Sequence, residues 1–383
     1  MAFSLDGRQA RRAFLLVLAG GALTLAGCQT RPGGPVGPET GPTPPPVKPS
    51  ETQRNMVAVI VPLTGGDAAV GQSIANAANL ALLDTGEKSI RITVYDSAGP
   101  GGAAAAASRA IGEGNKLILG PLLADDVRAA APVARAAGVP VIAFSNDEGV
   151  AGNGVYIMGF TPDQSIGRVV TYARGRGASR FAALVPTGLY GQRAAQSMIG
   201  AVRKAGGTMG AVETFNRTPA AVTAAARRLS AKGNFDAVLV GDSGRIAAVA
   251  APGIKTGTRV LGTELWASDN ALGKTAALRG AWYAAPTDVQ FDKLTARYRA
   301  RYGRAPFRLA SLGYDAVLLA VRSARSWPTG KAFPAKSLVD PDGFAGVDGS
   351  FRFGRDGIAD RLLEVRQVTA TGETTVSPAA NRF

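Results

Sequence analysis

Short apolar runs alternate with amphipathic stretches along most of this chain. Val57-Ala58-Val59-Ile60-Val61 is apolar at every position, the pattern of a strand covered on both faces. A loop with Pro62, Gly65, Gly66 and Gly71 follows, and then Ile74, Ala77, Ala78, Ala81 and Leu82 share one face at helical spacing. The unit recurs. Ile90 to Tyr95 precedes an alanine-rich helix, Leu117-Ile118-Leu119 precedes a helix ending at Gly138, and Val141-Ile142-Ala143-Phe144 comes next. After Pro162 a helix runs to Gly175 and Gly177, and a second series opens with Phe181-Ala182-Ala183-Leu184-Val185. Its later strands fall near Met209 to Phe215, Ala237 to Val240, Arg259 to Leu261 and Ala281 to Ala284. This alternation predicts βα units and largely parallel sheets, an α/β fold. Two series joined near residue 161 predict two Rossmann-like lobes. Ligands of such sheets bind beyond the carboxyl ends of the strands, so two facing lobes create a cleft.

The first residues break the pattern. Arg8, Arg11 and Arg12 precede an apolar run from Ala13 to Ala26 that ends in Leu25-Ala26-Gly27-Cys28. That run is too short to cross a ~30 Å hydrocarbon core as a helix, so residues 1–27 read as a lipoprotein signal peptide. Cys28, the only cysteine, then stands where diacylation with fatty acids such as palmitate and cleavage would occur. Ala10-Arg11-Arg12-Ala13-Phe14-Leu15 resembles a twin-arginine signal, which leaves two export routes open. Gln29, by resemblance to bacterial lipoprotein sorting, favours the periplasmic side of the outer membrane. Residues 28–54 form a proline-rich tether: eight prolines lie between Gln29 and Arg54, and at ~3.1 Å per residue the segment reaches up to ~80 Å.

Composition narrows the chemistry. The chain has 383 residues, 46% hydrophobic and 19% charged, with no histidine. The usual general base, the usual metal ligand and the Ser/His or Cys/His nucleophile pairs are therefore missing. One cysteine makes neither a zinc site nor an internal disulfide. Gly273-Lys274-Thr275 echoes the end of a phosphate loop, but Ser268 stands where its first glycine belongs. Asp125/Asp126 and Asp147/Glu148 read as carboxylate pairs on exposed loops. The expectation is a protein with no catalytic residues, no metal and no cofactor. The net charge of +15 is dispersed. Arg174, Arg176 and Arg180 form its densest group without the interleaved aromatics that single-strand binding needs, so nucleic acid is not an expected partner.

Several motifs carry a family resemblance. Val59-Ile60-Val61-Pro62-Leu63-Thr64-Gly65, Tyr95-Asp96-Ser97, Leu119-Gly120-Pro121-Leu122, Gly138-Val139-Pro140-Val141-Ile142, Tyr190-Gly191 and Gly313-Tyr314-Asp315-Ala316-Val317 occur in order. Together they resemble the type I periplasmic-binding fold of the leucine/isoleucine/valine-binding proteins. Within that fold, Gly120-Pro121-Leu122-Leu123 with Asp125-Asp126-Val127, Leu261 to Trp266 and Gly280 to Pro286 look more like the penicillin-binding protein activator lipoproteins. The helical-repeat domain of the best-known activators has no counterpart here. The resemblance implies a three-crossing hinge, with crossings near residues 160, 286 and 340. Lobe I would comprise residues 55–160 with 287–340, and lobe II residues 161–286 with 341–383.

The same resemblance nominates cleft residues. Ser145 and Asn146 follow the fourth strand, where transport receptors place small polar contacts to a ligand carboxylate. Tyr190 matches a ligand-facing tyrosine of the second lobe, and Glu264 matches the carboxylate that meets an ammonium group. Asp242-Ser243 stands where another tyrosine is expected, and Pro121-Leu122-Leu123 where a receptor offers a hydroxyl. Two functions follow. In the first, a non-enzymatic lipoprotein activates a peptidoglycan synthase, a penicillin-binding protein, through protein contacts. In the second, a substrate-binding lipoprotein carries branched-chain or related amino acids to an ABC transporter permease.

Overall fold

The computed structural model describes residues 54–383. The signal segment, Cys28 and the proline-rich stretch lie outside the described residues. Lobe I opens with β1 (Asn55–Val61), α1 (Ala68–Thr85), β2 (Ile90–Asp96), α2 (Gly102–Gly112), β3 (Leu117–Leu119), α3 (Ala124–Ala136), β4 (Val141–Ala143) and β5 (Val155–Ile157). The strands form one parallel sheet in the order β2-β1-β3-β4-β5. The apolar run Val57–Val61 of β1 covers two cores at once: Val57, Val59 and Val61 pack towards α1, while Ala58 and Ile60 pack towards α2 and α3. A strand whose alternate side chains both meet helices has no polar face to show in its sequence.

Lobe II holds α4 (Pro162–Gly175), β6 (Arg180–Pro186), α5 (Leu189–Lys204), β7 (Thr208–Phe215), α6 (Pro219–Ala231), β8 (Ala237–Val240), α7 (Gly244–Ala250), β9 (Arg259–Gly262) and β10 (Trp282–Ala285). The chain returns to lobe I with α8 (Val289–Tyr302) and α9 (Ala310–Ala324), which pack on α1 and the face of β1 that carries Val57. It ends with β11 (Phe344–Gly346), β12 (Gly349–Phe353), β13 (Ala359–Arg361), β14 (Glu364–Thr369) and β15 (Gly372–Ser377). The lobe II sheet runs β15-β14-β10-β9-β8-β6-β7, parallel from β7 to β10 and antiparallel at β14 and β15.

One expectation is corrected. Residues 341–361 do not belong to lobe II: β11, β12 and β13 form their own antiparallel sheet, and Phe344, Phe351 and Phe353 are buried in the lobe I core. The physical reason is Asp315. It is buried on α9 and accepts a hydrogen bond from the Val347 amide at 2.7 Å, fastening the turn between β11 and β12 to lobe I. The third crossing therefore lies near residue 362 rather than 340. Arginines stitch all three crossings. Arg361 donates to the Met158 carbonyl (2.6 Å), Arg366 donates to the Pro286 carbonyl (2.7 Å), and Arg308 pairs with Asp288 at 2.5 Å and Asp348 at 2.6 Å.

Candidate functional site

The loops at the carboxyl ends of the strands bound a cavity of about 390 Å³ between the lobes. Lobe I contributes Asp67 and Val70 from the start of α1, Leu122 and Leu123 from the exit of β3, Phe144 and Asn146 from the exit of β4, Phe160 from the first crossing, and Arg308 and Leu309 before α9. Lobe II contributes Glu264, Leu265 and Ser268 from the turn after β9. Seven of these twelve residues are apolar, the composition of a site that buries a small solute and orients it with few polar groups.

Local sequence explains how the walls are held. Asp96, at the end of β2, accepts from the amides of Leu63 (2.8 Å) and Ala98 (2.9 Å) and from the Thr64 hydroxyl, which ties down the loop leading to Asp67. Against the burial that would raise it, these donors hold the Asp96 carboxyl below the usual range. In lobe II, a Cβ on Gly262 would stand 2.3 Å from the Trp266 ring, so only glycine lets that ring fold back over β9. Trp266 Nε1 then donates to the Asp242 carbonyl at 3.0 Å, and the turn between, carrying Glu264, is fixed.

Glu264 is buried, and its Oε2 accepts from the Ser165 hydroxyl of α4. Burial raises its pKa to about 7, against the pull of that hydroxyl. Around neutral pH this side chain is poised between acid and carboxylate, and a neighbouring cation would draw it to the charged form.

The sequence candidates separate in space. Asn146 and Glu264 face each other's lobe on the cavity wall, and the Asn146 side chain is exposed there. The other four do not line the cavity. The Ser145 hydroxyl accepts from the Asp147 amide at 3.1 Å, inside its own loop. Asp242 is buried and committed, with Oδ2 accepting from Arg217 Nε and Oδ1 from the Ser243 amide, both at 2.7 Å. Ser243 supplies that amide and stands at the start of α7. Tyr190 lies near Glu264, its hydroxyl buried beside the Thr263 side chain. Burial foremost, then the Glu264 and Asp242 carboxylates, push the tyrosine well above its ordinary pKa.

Neither carboxylate pair stands on an exposed loop, although Asp125 itself is exposed. Asp147 is 5% exposed and bound to Arg128 and Arg193, while Asp125 and Asp126 occupy the first turn of α3, where negative charge meets the helix dipole. Phe144, Phe160 and Arg308 escaped the sequence reading. Phe144 carried a signal, an aromatic at the end of a buried strand. Arg308 carried none, because the partners that bring it here are far away in sequence. Among the described residues no cluster of His, Cys, Asp and Glu is arranged to hold a metal, and no helix is long and apolar enough to cross a membrane.

Comparison with known proteins places these features in context. A family profile described as periplasmic binding protein matches residues 56–373. The fold resembles that of a putative branched-chain amino acid ABC transporter protein from Rhodospirillum rubrum, with a TM-score of 0.72 and 20% identity, covering 84% of this chain and 100% of that one. It also resembles the leucine binding protein LivK from Thermotoga maritima, with a TM-score of 0.65 and 21% identity over 85% of this chain and 99% of the other. An uncharacterized protein of Rickettsia prowazekii is 27% identical over 174 residues, which is 45% of this chain. The chain spans about half the length of that curated relative, 47% of it.

Proposed function

This chain belongs to the periplasmic binding protein family, and from that premise we propose that it captures a small solute between its lobes and presents it, unchanged, to the permease of an ABC transporter. The family implies an extracytoplasmic place of work. Acylation at Cys28 would hold the protein on the periplasmic side of the outer membrane, with the proline-rich tether giving it reach. The solute is an amino acid or a related small amine.

The observation that carries this reading is the interlobe cavity itself, with apolar walls and one buried, ionisable carboxylate reaching it. The motif Gly120-Pro121-Leu122-Leu123, which drew the resemblance to synthase activators, contributes Leu122 and Leu123 to that wall. Apolar residues there read more simply as a change of ligand chemistry than as loss of a site. This favours the solute-binding alternative over the activator of a penicillin-binding protein, as does the likeness of the fold to the leucine binding protein LivK.

Thermal shift of the purified protein across amino acids, aliphatic amines and muropeptides tests the reading. A ligand at 100 times its Kd adds ~2.7 kcal/mol of stability, so a true solute gives an unmistakable rise in Tm. A pull-down from detergent-solubilised envelopes is the complement. A flat panel, together with recovery of a cell-wall synthase and no transporter subunit, would sink the proposal and restore the activator.

A further inference from the structure

The cavity wall is uneven in charge, and the unevenness bears on what kind of solute fits. An α-amino acid brings a carboxylate that must be met by uncommitted donors or a free cation. On the described wall the cation is Arg308, but its Nη1 pairs with Asp288 and its Nη2 with Asp348. Its guanidinium carbon also lies over the Phe291 ring at 4.1 Å. That arginine is held in the hinge through both Nη groups, and only its buried Nε is left without a partner. Ser145 is buried and does not line the cavity, and the exit of β3 presents Leu122 and Leu123. Among side chains, what remains for a carboxylate is the Asn146 amide, the Ser268 hydroxyl and the buried Arg308 Nε, on a wall that also carries two acidic side chains, Asp67 and Glu264.

An ammonium group meets the reverse situation. Glu264 is anchored through Oε2 by Ser165 and stands at the wall, Asp67 adds a second negative charge across the cleft, and the apolar side chains accept a hydrocarbon body. We propose that the cleft selects a primary aliphatic amine without an α-carboxylate, its ammonium at Glu264 and its chain against Leu122, Leu123, Phe144 and Phe160. The inference rests on the solute-binding reading above and narrows it.

Three compounds sharing one isobutyl body decide the matter by isothermal titration of the full mature chain: 3-methylbutylamine, leucine, which adds the carboxylate, and 4-methylpentanoate, which keeps the carboxylate and lacks the amine. The expected order is the amine at least tenfold tighter than leucine, with no measurable heat from the acid. Glu264→Gln should weaken the amine tenfold or more while the variant keeps a cooperative unfolding transition. Leucine or the acid binding as tightly as the amine overturns the inference and leaves the solute-binding reading intact. An amine affinity unchanged in Glu264→Gln overturns the assigned contact and the inference with it. Silence from all three compounds and from butylamine to octylamine also overturns it, and the broader thermal-shift panel then decides whether the solute-binding reading falls too.

Discussion

Glu264 shows how far one residue can be read before its surroundings are known. Its match to the ammonium-binding carboxylate of transport receptors marked it as a ligand candidate, yet nothing in the motif Leu261-Gly262-Thr263-Glu264-Leu265-Trp266 says that it would be buried against Ser165 with a pKa near 7. The consequence for stability has a definite sign. The folded state keeps a proton on Glu264 that the unfolded chain releases near its ordinary value of 4.5, so stability falls as pH rises from that value to about 7 and levels off above. The full effect is on the order of 3 kcal/mol. Asp315, raised to about 7 by burial and by Asp348, bends the curve in the same direction. Chemical denaturation at pH 5 and pH 8 should therefore show the wild type losing more stability than Glu264→Gln, by an amount of that order, with the Asp315 contribution common to both. Equal losses in the two proteins would remove the buried-carboxylate account. Asp242 and Ser145 teach the complementary lesson. Short polar side chains at strand ends are as often spent on their own loop's amides as offered to a ligand, and the sequence does not distinguish the two uses.

At the scale of elements, fully apolar strands such as Val57 to Val61 and Ala237 to Val240 were legible because parallel strands between helix layers tolerate no polar face. The stretch from Phe344 to Arg361 was not. Gly349-Ser350-Phe351-Arg352-Phe353 alternates with a period of two and would suit the edge of either lobe's sheet. Its placement is decided by Asp315 reaching the Val347 amide and by aromatic packing, with Phe351 stacked on Phe344 at 5.5 Å and edge-on to Phe353 at 5.9 Å. Phe351→Ala should cost roughly 3–5 kcal/mol, the range for an emptied aromatic core position. Hydrogen exchange should locate the damage in β1, α1 and α9. Loss of protection confined to β6 through β9 would return the segment to lobe II.

For the molecule as a whole, the proposed function turns on how the two lobes meet, and an ion pair is among the contacts that span them. Asp147, nearly buried in the lobe I loop after β4, is paired with Arg128 of its own lobe and with Arg193 of α5 in lobe II at 3.4 Å. Gly149 makes room: a Cβ there would stand 2.7 Å from Arg193 Nη2. Asn146, one residue away, lines the cavity, so in the proposed function the pair would join lobe closure to ligand contact. Arg193 is 39% exposed, so solvent screening limits the pair to about 1 kcal/mol. Arg193→Ala should accordingly weaken binding up to about fivefold through faster release, and small-angle scattering of the ligand-saturated variant should give a larger radius of gyration than the wild type. Identical scattering and release rates would mean that the pair decorates closure without contributing to it. By itself the sequence determined the α/β class, the two strand series and the poverty of catalytic groups, because periodicity and residue type act locally and are written along the chain. Tertiary structure alone decided which lobe owns residues 341–361, which of six polar candidates reach the cavity, and the capture of Arg308 by the hinge. Those outcomes depend on groups distant in sequence competing for the same hydrogen bonds and the same buried space.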